Sequence, residues 1–138
     1  MDAVQEAVIR GGVLDEAARA AYAAAYSARC DTAGGLGSMD AGMRGAQLFE
    51  VVVSGVVVAR YALRLEQHAN GVELVVVAAA GGASGVDLTA SILPTIEKQG
   101  RQAGAHRVTL RTRRPGLVRK LKKQGWVLDA YCMGKTTE

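Results

Sequence analysis

The alternation of hydrophobic and polar positions is weak in the first third of the chain, which is rich in alanine. The stretch from Val13 to Arg29 contains neither Gly nor Pro, and its early acidic residues favour the amino end of a helix. It predicts a helix. Residues 2–10 fit a short helix or a first strand, and a helix is favoured. Residues 31–45 hold five glycines with Asp, Ser and Thr, which predicts a loop.

The middle of the chain carries the clearest pattern. Three β-branched runs, Leu48–Val53, Val56–Gln67 and Val72–Ala80, are separated by turn-forming residues at 54–55 and 68–71. They predict a three-stranded antiparallel meander. In the second run one face is expected to be buried and the other wet. The buried set is Tyr61, Leu63 and Leu65, and the wet set is Ala62, Arg64 and Glu66. The third run is apolar after its second residue, as expected of a strand covered on both faces.

After Gly81 the hydrophobic period becomes helical. The apolar positions that recur at this spacing are Leu88, Ile92, Leu93, Ile96 and Ala103. Asp87 is a candidate cap, Pro94 predicts a kink or a later first turn, and Gly104 ends this helix. A strand over His106–Thr112 follows, with Val108 and Leu110 pointing inward. A short helix then begins at Pro115, runs through Gln124 and stops at Gly125. A last strand is predicted from Trp126 to Lys135.

The net charge of +4 is unevenly distributed. Residues 1–97 hold six Arg, no Lys and eleven acids, a balance of −5, whereas residues 98–138 hold eleven bases and two acids, a balance of +9. This bias favours an acidic ligand or surface at the carboxy-terminal half, and an ordinary solvated face is the alternative. The partner would be a ligand that carries phosphates, a protein or DNA.

Length, cysteines and the amino terminus narrow the class of protein. The 138 residues fit one domain, here residues 1–138, and its two cysteines form neither a zinc motif nor a disulfide framework. The amino terminus lacks a signal-type segment, and the longest apolar stretch, Leu74–Ala80, is far shorter than a membrane span. The sequence therefore predicts a cytoplasmic protein without a membrane partner.

The carboxy-terminal half resembles the GCN5-related N-acetyltransferase family. The likeness lies in Gln102-Ala103-Gly104-Ala105 before the strand, and in Lys123-Gln124-Gly125-Trp126 after the second helix. The resemblance implies an α/β (α+β) acyl-CoA N-acyltransferase fold, with a mixed, mostly antiparallel central sheet flanked by helices. It also implies acetyl-coenzyme A, held by a glycine-rich turn between the central strand and its helix.

The cofactor turn departs from the family pattern. The matching positions are Ser84, Asp87 and Thr89, and a carboxylate beside a pyrophosphate is repulsive. A displaced register through Gly81, Gly82 and Gly85 would restore an anion nest. The basic residues Arg119, Lys120 and Lys123, together with Lys122, are the candidate partners of the phosphates, with Arg111, Arg113 and Arg114 on the preceding segment.

The residues of the family's proton chemistry are also altered. The usual tyrosine acid, four residues before the Gly-aromatic pair, is Leu121 here. Tyr131 and Cys132 are the candidate substitutes on the last strand. Glu73 is the candidate base, and His68 lies in the preceding turn.

Three functions follow from these observations. The first is acyl-CoA-dependent N-acyl transfer with a degenerate cofactor loop. The second is a non-catalytic structural or interaction protein of the same fold, since small divergent domains of this type resemble proteins encoded by tailed bacteriophages, some of them virion or assembly components. Its partner would be a second copy or a phage particle, and its location the virion. The third is binding of nucleic-acid phosphates through the basic half.

Overall fold

A computed structural model describes residues 7–27, 30–81 and 88–137. Five strands form one sheet in the spatial order β1-β2-β3-β4-β5. The strands are Val8–Gly11 (β1), Gln47–Val53 (β2), Val56–His68 (β3), Gly71–Gly81 (β4) and Arg107–Leu110 (β5). The first three pairings are antiparallel, and β5 runs parallel to β4. The predicted three-stranded meander is confirmed as β2, β3 and β4.

Four helices accompany the sheet in the described part of the chain. They are Glu16–Ala23 (α1), Met39–Gly42 (α2), Leu88–Gln102 (α3) and Pro115–Lys123 (α4). Asp15 caps α1, because its carboxylate accepts a hydrogen bond of 2.8 Å from the Ala18 N–H. The α3 helix provides the long connection that a parallel pair such as β4 and β5 requires. The two carboxy-terminal helices and the strand between them confirm the predicted order.

Each face of the sheet has its own core. On one face α3 covers a cluster that includes Val51, Tyr61, Leu63, Leu74 and Ile96. On the other face α1 and the segment after it cover a cluster that includes Ala18, Tyr22, Met43, Ala62 and Ala78. The Tyr61 ring stacks on Phe49, with 5.1 Å between ring centroids, and its O–H donates to Gln99 Oε1 at 2.9 Å. The central strands are therefore buried on both sides, as the apolar third run of the meander predicts.

The amino-terminal predictions need three corrections. The helix favoured for residues 2–10 is wrong over residues 8–10, which belong to β1 and pair with β2, so the alternative of a first strand is correct there. Residues 1–6 lie outside the described part. The predicted helix over 13–29 is shorter, because a 3-10 turn at Ala24–Tyr26 ends where Ser27 becomes extended. The predicted loop over 31–45 contains the short helix α2, which Ser38 caps.

The face assignment along β3 is also partly wrong. Ala62 is fully buried rather than wet, because the α1 layer packs on that face. Leu65 is 50% exposed, although the alternation placed it in the core. Strict alternation fails here because both faces of the strand are covered near its middle and uncovered towards its carboxyl end.

The predicted strand over Trp126–Lys135 is wrong. Residues 126–137 form neither helix nor strand, and no strand pairs with the outer edge of β5 in the part of the chain that is described. The segment is tied by a hydrogen bond from the Trp126 N–H to the Leu121 carbonyl and by an ion pair between Arg107 and Asp129. Its β-forming side chains, such as Val127 and Tyr131, lie in solvent, so the sequence preference has no packing to support it.

None of the helices among the described residues has both the length and the hydrophobicity of a membrane-crossing segment.

Candidate functional site

The candidate site begins where β4 loses its parallel neighbour. Pairing with β5 stops at Val76 and Leu110, whereas β4 continues to Gly81 with β3 alone beside it. The register with β3 also shifts there, so that Val77 is an extra residue and forms a bulge. Over Val77–Gly81, β4 has no strand partner among the described residues on the side away from β3. We call this side of the strand the open edge of β4. Apart from the Val77 carbonyl, its backbone N–H and C=O groups have no strand partner in the part of the chain that is described.

Tyr26 lies at the bulge. Tyr26 belongs to the 3-10 turn that follows α1. Its phenolic O–H donates a hydrogen bond of 3.4 Å to the Val77 carbonyl oxygen. Burial raises the pKa of Tyr26, while nearby Arg64 opposes that rise and Asp31 adds to it. The hydroxyl therefore keeps its proton at neutral pH. Sequence reasoning missed this residue, because a tyrosine in an alanine-rich helix has no motif that would connect it to β4.

The loop after Tyr26 meets the segment after β5. The Asp31 carboxylate accepts hydrogen bonds from the Ala33 and Gly35 N–H groups at 2.9 and 2.7 Å, which lower the pKa of Asp31. The Arg113 guanidinium donates to the Asp31 carbonyl oxygen at 3.4 Å. This contact joins the loop after α1 to the segment after β5, at the end of the sheet where the open edge of β4 lies.

Gly81 ends β4 in a conformation that favours glycine. Its φ is +100°, and a Cβ built there would lie 2.6 Å from the Val58 carbonyl oxygen. The other residues of the predicted anion nest, Gly82, Ser84 and Gly85, lie outside the described residues, as does Asp87. Thr89 lies in the first turn of α3. The structure therefore gives Gly81 a backbone role and leaves the nest a prediction.

The basic residues predicted to meet phosphates lie on or just before α4. Arg119, Lys120 and Lys123 are exposed on α4, together with Lys122. Arg111, Arg113 and Arg114 are exposed between β5 and α4. Leu121, at the position of the family's tyrosine acid, is only 6% exposed, so it serves the core. The exposed cations form the basic surface of α4, which we define as Arg119, Lys120, Lys122 and Lys123.

The two predicted catalytic residues lie apart from the open edge of β4. Glu73 lies beside Arg107 in the sheet register, at the far end of the β4–β5 pairing. This position is about 13 Å along β4 from Val77 at the usual rise per residue. The Glu73 side chain contacts His68 and Thr109 instead. Tyr131 is 85% exposed in the segment after α4, and Cys132 beside it is exposed as well. Their catalytic roles stay predictions, and Tyr26 is the hydroxyl that the fold brings to Val77.

Comparison with known proteins yields structural neighbours only, since no family model and no curated protein sequence matches the chain. A possible acetyltransferase from Clostridium difficile 630 aligns over 96% of this chain and 97% of its own, with a TM-score of 0.66 and 15% identity. A ribosomal-protein-alanine N-acetyltransferase from Brucella melitensis biovar Abortus 2308 aligns over 96% and 99%, with a TM-score of 0.65 and 15% identity.

A third neighbour is an aminoglycoside N-acetyltransferase solved in complex with coenzyme A. It aligns over 99% of both chains with a TM-score of 0.61 and 11% identity. At these identities the likeness concerns the fold. The mixed five-stranded sheet, its flanking helices and these neighbours together give one conclusion: the chain has the fold of the GCN5-related N-acetyltransferases.

Proposed function

We propose that this chain is an acyl-coenzyme A-dependent N-acyltransferase. The observation that carries the proposal is the open edge of β4, which starts at a bulge and has a protonated tyrosine hydroxyl beside it. The acetyltransferase neighbours support the same activity, and one of them was solved with coenzyme A. The acceptor would be an amine.

The described residues fit acyl-coenzyme A in two respects. The open edge of β4, beyond the Val77 carbonyl, has no strand partner among the described residues and would meet the amides of the pantetheine arm in the manner of an added strand. The basic surface of α4 offers exposed cations to its phosphates. When bound, acyl-coenzyme A would supply an acyl group activated as a thioester.

Tyr26 is the residue of this chain that we assign to proton transfer. Its hydroxyl is held at the Val77 carbonyl, and its raised pKa keeps the proton on the phenolic oxygen. A tyrosine of this kind donates a proton to a leaving thiolate, which is the role that Leu121 leaves vacant. The hydrogen bond from Arg113 to the Asp31 carbonyl ties the loop after Tyr26 to the segment after β5.

The proposal is tested by calorimetric titration with acetyl-coenzyme A and with coenzyme A. We expect micromolar binding, and a loss of at least about tenfold in affinity when Arg119, Lys120, Lys122 and Lys123 are all changed to Ala, because each charge-assisted contact to phosphate is worth about 1.5 kcal/mol or more. The matched control changes Arg10 and Arg19 to Ala. These residues form exposed ion pairs with Glu50 and Asp40 and lie on other elements.

The other outcomes separate the alternatives. Equal losses in the α4 variant and the control would contradict a specific phosphate site. No binding of either coenzyme would favour the non-catalytic role, with a second copy or a virion component as partner. A duplex DNA oligonucleotide serves as a further titrant, because the nucleic-acid alternative uses the same basic surface of α4. Binding of the oligonucleotide without binding of acetyl-coenzyme A would favour that alternative.

A further inference from the structure

A cluster of three metal-ligating side chains lies at the turn between β3 and β4. Glu66 and His68 are two residues apart on β3 and so project from the same face of the sheet. Glu73 stands directly opposite Glu66 on β4. One ligand atom from each residue lies within 4.8 Å of the others, and all three side chains are partly or fully exposed. The cluster combines one imidazole nitrogen with two carboxylates.

The pairing of Glu66 with Glu73 is unfavourable by itself. Like charges directly opposite each other on antiparallel strands destabilise a sheet. Arg64 offsets part of this repulsion through an ion pair with Glu66 at 3.1 Å, although it also donates to the Gly42 carbonyl at 2.8 Å. Arg107 forms an ion pair with Asp129. A divalent cation between the two carboxylates would remove the repulsion.

Hydrogen bonds from outside the cluster already orient its ligands. The Thr109 hydroxyl donates to Glu73 Oε2, while Glu73 Oε1 lies 2.7 Å from His68 Nε2. Arg64 Nη2 donates to Glu66 Oε1 at 3.1 Å. Each carboxylate is thus fixed through a neighbour that is not itself a ligand. Such outer partners are typical of protein metal sites, because they set the direction of the ligating atoms.

We propose that Glu66, His68 and Glu73 bind one divalent transition-metal ion, with zinc as the best match to their donor atoms. Zinc accepts imidazole nitrogen and carboxylate oxygen together, and three protein ligands leave a fourth position for water. The ion would link the ends of β3 and β4. It would lie about 13 Å along β4 from Val77, so its binding is independent of the proposed acyl transfer.

The test uses the two histidines of the chain as internal reporters. Zinc chloride is titrated into protein that carries Cys30→Ser and Cys132→Ser, which removes the competing thiols. The ring signals of both histidines are followed by proton NMR. We expect the His68 signals to shift and to saturate at one zinc per chain. The His106 signals should stay in place, because the ring accepts a hydrogen bond from the Val72 N–H outside the cluster.

Two variants complete the test. Glu73→Gln should weaken zinc binding at least about tenfold, whereas Glu97→Gln, which changes the same charge on α3, should bind like the parent protein. An unshifted His68 signal in the parent at a large molar excess of zinc would overturn the proposal. Equal shifts of His68 and His106, or unchanged affinity in a folded Glu73→Gln protein, would overturn it as well. Acetyl-coenzyme A is titrated into the same samples, and its affinity is expected to be the same in all of them, so this proposal and the proposed function can fail separately.

Discussion

The Tyr26→Phe protein is expected to transfer acyl groups about 100-fold more slowly than the parent, a loss of about 2.7 kcal/mol in the transition state. The substitution removes the hydroxyl that contacts the Val77 carbonyl and keeps the ring. Because Tyr26 is assigned to proton donation and not to cofactor binding, the change should appear in kcat and leave the KM for acetyl-coenzyme A nearly constant. The release of free thiol in the presence of a polyamine or peptide amine measures both constants.

Tyr22→Phe is the matched control for this experiment. Tyr22 lies on α1, is fully buried, and its hydroxyl has no hydrogen-bond partner among the described residues. Removing an unpaired buried hydroxyl should leave the rate unchanged. Similar losses in the two variants would mean that the α1 region matters for packing alone. An unchanged rate in Tyr26→Phe would exclude Tyr26 as the acid.

The Gly81→Ala protein is expected to lose about 3 kcal/mol in free energy of unfolding. One part of this loss is the positive φ of +100°, which costs a residue with a side chain about 1–3 kcal/mol. The other part is contact with backbone, since the new Cβ would lie 2.6 Å from the Val58 carbonyl oxygen and 2.8 Å from the Ala59 Cα. Neither atom can move without shifting β3. Urea denaturation of parent and variant measures the difference.

Gly104→Ala separates these two contributions. Gly104 has a φ of +80°, and no atom of the described part of the chain lies within 4 Å of a Cβ built there. We expect it to lose about 1 kcal/mol, from the backbone conformation alone. Equal losses in the two variants would show that the close approach to Val58 costs little.

The sequence predicted the central sheet and its following helices because their signals are local. Turn residues at Ser54-Gly55 and around Asn70 separate β-branched runs, and Gly104 and Gly125 mark helix ends with positive φ. These preferences act over a few residues and need no knowledge of distant neighbours. The resemblance at Gly104 and Gly125-Trp126 therefore led to the correct fold.

The features that were missed depend on distant partners. Val8–Gly11 is a strand because it pairs with β2. Residues 126–135 do not form one because side chains such as Val127 and Tyr131 lie in solvent and have no packing to support a strand. Tyr26 reaches β4 across 51 positions in sequence, a contact that no periodicity predicts. The glycine-rich turn from Gly82 to Asp87 lies outside the described residues, so the predicted anion nest remains a prediction.

The most direct measurement is the backbone amide spectrum of the labelled protein during titration with acetyl-coenzyme A. Binding at the open edge of β4 predicts saturable shifts of the Val77–Gly81 amides and of the basic surface of α4, with the β1 amides unchanged. Shifts confined to α4 would mean that the protein holds phosphates without placing the thioester at the bulge. That result, or a spectrum without saturable shifts, would contradict acyl transfer at this site.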